Sequence, residues 1–283
     1  MSPSELRAAE GRSTGLALLG SELGVLFRRR RTWAMLAALA AVPVLIAVAV
    51  RLSDSDGRGG GPPFLSSITQ NGLFVALTAL VVSVPLFLPL TVGVVAGDTI
   101  AGEASLGTLR YLLAAPAGRV RLLLVKYAGA AAFCLAATVV IVITGVLIGA
   151  ALFPVGPVTL LSGDTIGVDG FALRAALFAG YVTVSLLGLS AIGLFISTLT
   201  TVPVGAMAAT IVLSAVSQIL DALPQLEVIH PWLFTHHWLG FADLLRTPVD
   251  LTVFGENALL QLGYIAVFGT LAYGRFTTKD VLS

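Results

Sequence analysis

Long apolar runs broken by short polar segments dominate the chain, and their lengths set the elements they predict. A bilayer core of roughly 30 Å takes about 20 residues of helix at about 1.5 Å rise each. Runs of that order cover residues 33–50, 71–97 and 127–153, and another covers 258–273. Between 175 and 220 no residue carries a charge, which is too long for one crossing. The polar stretch Ser197, Thr198, Leu199, Thr200, Thr201, Val202, Pro203 divides it, because proline and hydroxyl side chains favour a turn. That gives spans at 175–197 and 203–220, six in all, within a single transmembrane domain covering 1–283. Ahead of the first span, Leu16, Leu19, Leu23 and Leu26 recur at helical spacing beside Glu22 and the run Arg28 to Arg31. Residues 1–32 therefore read as a cytoplasmic segment with a helix lying in the interface, its arginines at the headgroups.

Composition explains why these runs are lipid-facing helices. Hydrophobic residues make up 57% of the chain and charged ones 11%, with a mean hydropathy of +0.98, whereas soluble domains carry about 25% charged residues. The alternation of a membrane barrel is absent, so the spans must be helices that satisfy their own backbone. The fold class is an all-α polytopic membrane protein. A net charge of +1 supplies no field for nucleic acid. Placing the N-terminus inside puts Arg7, Arg12, Arg28, Arg29, Arg30, Arg31, Arg110, Arg119, Arg121, Lys126, Arg275 and Lys279 in cytoplasmic segments. Only Arg51, Arg58, Arg174 and Arg246 then lie outside. The positive-inside rule favours that orientation, with both termini cytoplasmic. The first span is expected to stay uncleaved, because the segment before it is too long for the charged start of a signal peptide.

What the spans lack narrows the function. Between their proposed ends there is no Asp, Glu, Lys, Arg or His, so no proton relay or ion site is available to a coupled carrier. Gly188, Leu189, Ser190, Ala191 has a serine but no base within the membrane, and reads as small-residue helix packing. Gly145 and Gly149 form a GxxxG pair that suits close helix contact, inside the chain or between copies. A nucleotide-binding loop needs GxxxxGK[ST], and neither Lys126 nor Lys279 stands in one. The chain is expected to have no ATPase site and no cofactor of its own. His230, His236 and His237 share one outer segment, 221–257, with Trp232, Phe234, Trp238 and Phe241. That segment reads as half-helices at the outer interface rather than a metal site. The lone Cys134 cannot form a disulfide within the chain.

Specific chemistry concentrates between spans two and three, in GDTIAGEASLGTLRYLLAAPAGRVRLLLVK. Gly107 permits a turn, residues 108–115 suit a short helix, and Pro116 stops it. Charges of both signs flank it, a pattern fit for docking into a groove on a soluble partner. This loop strongly resembles that of the permease subunits of ABC-2 type transporters. Asp98, Ile100, Ala101, Gly102, Glu103, Gly107, Thr108, Leu109, Arg110, Leu112, Leu113, Pro116, Arg119 and Lys126 carry the likeness, and Pro231 to Arg246 adds a weaker one. The resemblance implies a bacterial inner-membrane exporter in which two copies of a separate ATPase, carrying ATP and Mg, engage the loop. Asp98, Glu103, Gly107, Thr108, Arg110, Pro116 and Arg119 would couple to it. A second permease chain, a homodimer by preference, would complete the path. Asn71, Thr78 and Gln218 are the polar candidates along that path, and uncharged spans favour an amphipathic or hydrophobic cargo such as a drug, antibiotic, peptide or lipid. The alternative is a non-transporting mechanotransmission component acting on an outer partner.

Overall fold

A computed structural model describes residues 17–55, 68–69, 71–108, 118–159, 164–246 and 251–278. Within them the helices are α1 (17–28), α2 (Arg30–Ser55), α3 (Phe74–Ser83), α4 (Phe87–Ser105), α5 (Arg119–Leu152), α6 (Val168–Leu199), α7 (Pro203–Asp221) and α8 (Thr252–Thr278). Two residue pairs, Val158–Thr159 and Thr165–Ile166, form a minimal antiparallel ladder after α5. The protein is an all-α, multi-pass membrane protein, and among the described residues five helices are long and apolar enough to cross a bilayer. Its outward face is apolar, with Leu45, Leu147, Val204 and Leu259 each more than 60% exposed. In water that surface would be a liability, and in lipid it needs no partner.

The region read as one span at 71–97 is two helices, interrupted at 84–86 and continuing to Ser105. Pro85 causes the interruption, since it has no N–H for the ladder and its ring clashes with the carbonyl four residues back. Pro89 sits in the first turn of α4, where no helical N–H is lost. The extension carries Asp98 and Glu103 on rigid helix. At the other junction, α1 ends where Thr32 Oγ1 donates to Leu26 O (2.6 Å) and Trp33 Nε1 to Phe27 O (2.7 Å). Side chains of α2 thus satisfy carbonyls that the end of α1 leaves open.

Glycines set how closely the helices pack. A Cβ on Gly149 would land on the backbone of Gly72, and one on Gly145 would lie 2.5 Å from Ala76 Cα. The GxxxG pair of α5 is therefore spent inside the chain, against the start of α3. A Cβ on Gly97 would come within 2.7 Å of Met207 N, and one on Gly193 within 2.7 Å of Ala96 Cβ, so α4, α6 and α7 meet almost backbone to backbone. Most of α6 is buried, and its Phe178, Tyr181, Leu186 and Leu189 centre the main core with Phe133, Ile141 and Leu88.

The expected half-helices at 221–257 are instead two 3-10 helices, Pro224–Trp232 and Gly240–Leu245, joined by turns. In the first of them, Pro231 breaks the backbone ladder and Leu226 departs from helical dihedrals, which keeps it from forming α-helix. Their exposed carbonyls are met by side chains from α6 and α8. Tyr181 OH donates to His237 O (2.6 Å), Gln261 Nε2 to Phe234 O (2.9 Å) and Tyr264 OH to Trp232 O (2.7 Å), while Arg174 caps Leu244 O and Arg246 O. Irregular backbone at a membrane edge is tolerated where protein groups or water satisfy its polar atoms.

Candidate functional site

At the arginine-rich end of the bundle, three helices converge on one ammonium group. Gly118, at φ 76°, turns the chain into α5, and two turns later Lys126 faces α1 and α4 rather than solvent. Only 4% of Lys126 is exposed. Its Nζ donates to both carboxylate oxygens of Glu22 on α1 (3.0 Å each) and to Glu103 Oε1 on α4 (3.1 Å). The second oxygen of Glu103 accepts from Thr108 Oγ1, and Thr108 N donates to Glu103 O (3.1 Å). Gly107 adopts φ 68°, the left-handed region that only glycine enters without strain, and so turns the chain out of α4 at this point. One α4 turn away, Asp98 Oδ2 accepts from Arg29 Nη1 (3.2 Å) and from Arg31 Nη2.

These groups line a cleft of about 430 Å³ between α1, α4 and α5, floored by Leu26, Val95 and Ala130. Its lining holds Arg29, Arg31 and Lys126 against Glu22, Asp98 and Glu103, so charge is balanced within it. A neutral lining of this kind holds helices in register, and draws no ion by net charge. Arg119 Nη1 adds a bond to Phe276 O (3.2 Å), which joins the start of α5 to the end of α8. Projecting from the same end, Leu106 is 73% exposed.

Of the residues singled out in the loop, Asp98, Glu103, Gly107, Thr108 and Arg119 gather at this end, and Arg110 and Pro116 lie outside the described residues. Asp98 and Glu103 turn inward to partners in their own chain. Glu22, Arg29 and Arg31 complete the arrangement. The sequence marks them only as part of an interfacial helix with arginines at the headgroups; that Arg29 and Arg31 turn to Asp98 and Glu22 to Lys126 is not legible there, because partners 67 to 104 residues apart leave no local signal.

A further contact, between α6 and α4, is equally invisible in the sequence. Ser197 Oγ donates to Gly97 O (2.7 Å) and accepts from Ile100 N (3.0 Å) and Ala101 N (2.8 Å).

The three polar candidates for a path do not gather into a comparable group. Asn71 is buried as a clamp, its Nδ2 donating to Gly156 O (2.9 Å) and Pro157 O (3.2 Å) and its Oδ1 accepting from Leu73 N (3.1 Å). Thr78 Oγ1 and Gln218 Nε2 bond the carbonyls four residues back in their own helices.

At the opposite end the histidine rings lie 4.8 Å (His236 to His237) and 6.0 Å (His230 to His236) apart. No group of three His, Cys, Asp or Glu is placed to hold a metal among the described residues. His236 Nδ1 and Asp221 Oδ1 are 2.7 Å apart, which ties the outer segment to the end of α7. Burial, and then the neighbouring His236, push His237 below the usual histidine range, against the opposing pull of Glu256 and Asp221. A folded pKa below the unfolded value means that the unfolded chain takes up the proton first. His237 therefore costs nothing above about pH 6.5 and destabilises the fold as pH drops below it. Thermal unfolding in detergent from pH 7.5 to 5 should show the midpoint falling, and His237→Gln should remove that part of the slope. An unchanged slope in the variant would mean that His237 has no part in it.

A family model described as an ABC-2 family transporter protein matches residues 18–217. No curated protein matches the chain.

Proposed function

The chain belongs to the ABC-2 transporter family and is a multi-pass transmembrane component of a transporter, and from that premise we propose that it is the permease subunit of an ATP-driven exporter. Two copies of a separate ABC ATPase engage its arginine-rich end, which lies on the cytoplasmic side together with both termini, in a bacterial inner membrane. A second copy of the permease completes the translocation path. α8, a helix of 27 residues that packs along α6, supplies the sixth crossing. The chain needs no ATPase site, since hydrolysis is the partner's task.

One observation carries this reading: both edges of the cytoplasmic loop are built into a rigid anchor. α4 runs past the expected span to Ser105, α5 begins at Arg119, and Lys126 pins the two together and to α1. A loop that receives a force from a soluble partner must hand it to helices, and this anchor hands it to three. Asp98 and Glu103 serve from within by holding the loop's edge, and Leu106 and the turn at Gly107 present outward to the ATPase. An uncharged membrane interior suits a poorly hydrated, amphipathic or hydrophobic cargo.

Leu106→Asp tests the contact without touching the anchor, because that side chain is solvent-facing. Loss of a hot-spot side chain from a protein interface costs about 2 kcal/mol or more, and a charge placed in an apolar contact adds to that loss. The variant should insert into membranes as wild type does and unfold at the same temperature, while recovery of the ATPase with it falls more than about tenfold. Undiminished recovery would place the contact elsewhere. ATP-dependent movement of lipophilic dyes or lipid in proteoliposomes should then separate an exporter from a component that only transmits force.

A further inference from the structure

α4 changes allegiance along its length. Its upper part is held backbone to backbone by α7, with Gly93 against Ile211 and Gly97 against Met207, and Gly193 of α6 closes on Ala96 from another side. Its lower part leaves α7 but keeps α6, where Ile100 packs with Leu194, and is tied by ion pairs from Asp98 to Arg29 and Arg31 at the α1–α2 junction and from Glu103 to Lys126 of α5. Ser197 sits at that border. Its hydroxyl takes the proton-accepting oxygen of Gly97 on one side and the N–H of Ala101 on the other, the two groups that an uninterrupted helix would bond directly to each other. It also receives the N–H of Ile100.

A side chain inserted into the backbone ladder is one of the few physical causes of a helix bend. Three hydrogen bonds to one buried hydroxyl leave no backbone group there unsatisfied, so opening the ladder costs little while Ser197 is present. We infer that Ser197 is a positioning residue: α4 runs as one helix from Phe87 to Ser105, and by sharing the backbone groups of Gly97 and Ala101 Ser197 makes that turn the place where the helix bends most easily, and so lets the ATPase-facing end tilt relative to the membrane-embedded part. The inference rests on the coupling role given above to that end. It adds the joint on which the end turns.

The hinge can be measured without any partner. In a Cys134→Ser background, spin labels at Ser105 and Thr201, both exposed, report the position of the α4 end relative to the α6–α7 turn. Ser197→Ala removes the hydroxyl, so Gly97 O and Ala101 N are left to bond only each other. The distance between labels should shift and its distribution narrow, and amide exchange at Ala101 should slow about tenfold, as expected when about 1.4 kcal/mol is added to local opening. Ser197→Thr keeps a hydroxyl and should restore the wild-type distance and exchange. In the complex, Ser197→Ala should lower the maximal rate of ATP hydrolysis severalfold with KM for ATP unchanged, because the nucleotide site is remote from the joint. Unchanged distances in Ser197→Ala would overturn the inference. So would faster exchange at Ala101 with distances unchanged, because the hydroxyl would then fill a gap that the fold opens by itself. If distances and exchange respond as stated while ATP hydrolysis does not, the hinge stands and the coupling role of this end falls.

Discussion

Lys126→Met should destabilise the protein by about 3–5 kcal/mol, the range found when one partner of a buried ion pair is removed. Both carboxylates that contact Nζ are themselves largely enclosed, with side-chain exposures of 23% for Glu22 and 18% for Glu103. Without the ammonium, two like charges would face each other in a site from which water is mostly excluded, and the Coulomb term changes sign. The detachment of α1 is the expected response, since Glu22 is its ionic link to the cleft. Thermal unfolding should record the loss, and amide exchange should speed up through residues 17–28. Adding Glu22→Gln to Lys126→Met should recover part of the stability, because it removes one of the two stranded charges. A simple loss of packing would not be repaired by that second substitution. Lys126→Arg should do worse than a conservative exchange normally does, since a planar guanidinium does not match a pocket shaped around a compact ammonium.

Gly149→Ala should be nearly as severe, at about 3 kcal/mol, near the top of the range for overpacking a tight contact. The added methyl has nowhere to go: it meets the carbonyl of Gly72, which is backbone and is itself fixed by the bond from Gly72 N to Pro154 O (2.9 Å). Gly263→Ala is the control. Nothing lies within 4 Å of a Cβ at that position of α8, so the substitution should be neutral or stabilising by up to about 1 kcal/mol through helix propensity. The glycine pair had two readings, packing within the chain or contact between copies. If it served contact between copies, Gly149→Ala would leave the unfolding midpoint of the monomer in detergent untouched and reduce only the dimer fraction, so the two measurements decide the matter together.

Hydropathy made the membrane-helical fold legible, because apolar runs of about 20 residues have few alternatives in lipid. Local chemistry also located the joint between α6 and α7, where Leu199 ends one helix and Pro203 begins the next. Pro85 was equally visible, but whether a proline kinks a helix or divides it depends on neighbours that repair the ladder, and those are tertiary. The candidate site was half legible. Asp98, Glu103 and Gly107 stand out within one motif, while their partners do not: Glu22 reads as one acid on a surface helix, and Ser197 as one hydroxyl in a turn-forming stretch. The charges drawn from the loop as contacts for a partner protein bond within the chain first. Charge type in a sequence gives no indication of which way a side chain will face.

Photocrosslinking from Ser105 tests the central claim most directly, because this exposed residue sits at the end of α4 beside Leu106 and outside the ion-pair anchor. With a benzoylphenylalanine at that position in native membranes, the proposed function predicts a crosslink to an ABC ATPase whose yield changes when ATP is added. Purified without that partner, the chain should hydrolyse no ATP. A crosslink only to lipid, or ATP hydrolysis by the chain alone, would contradict it.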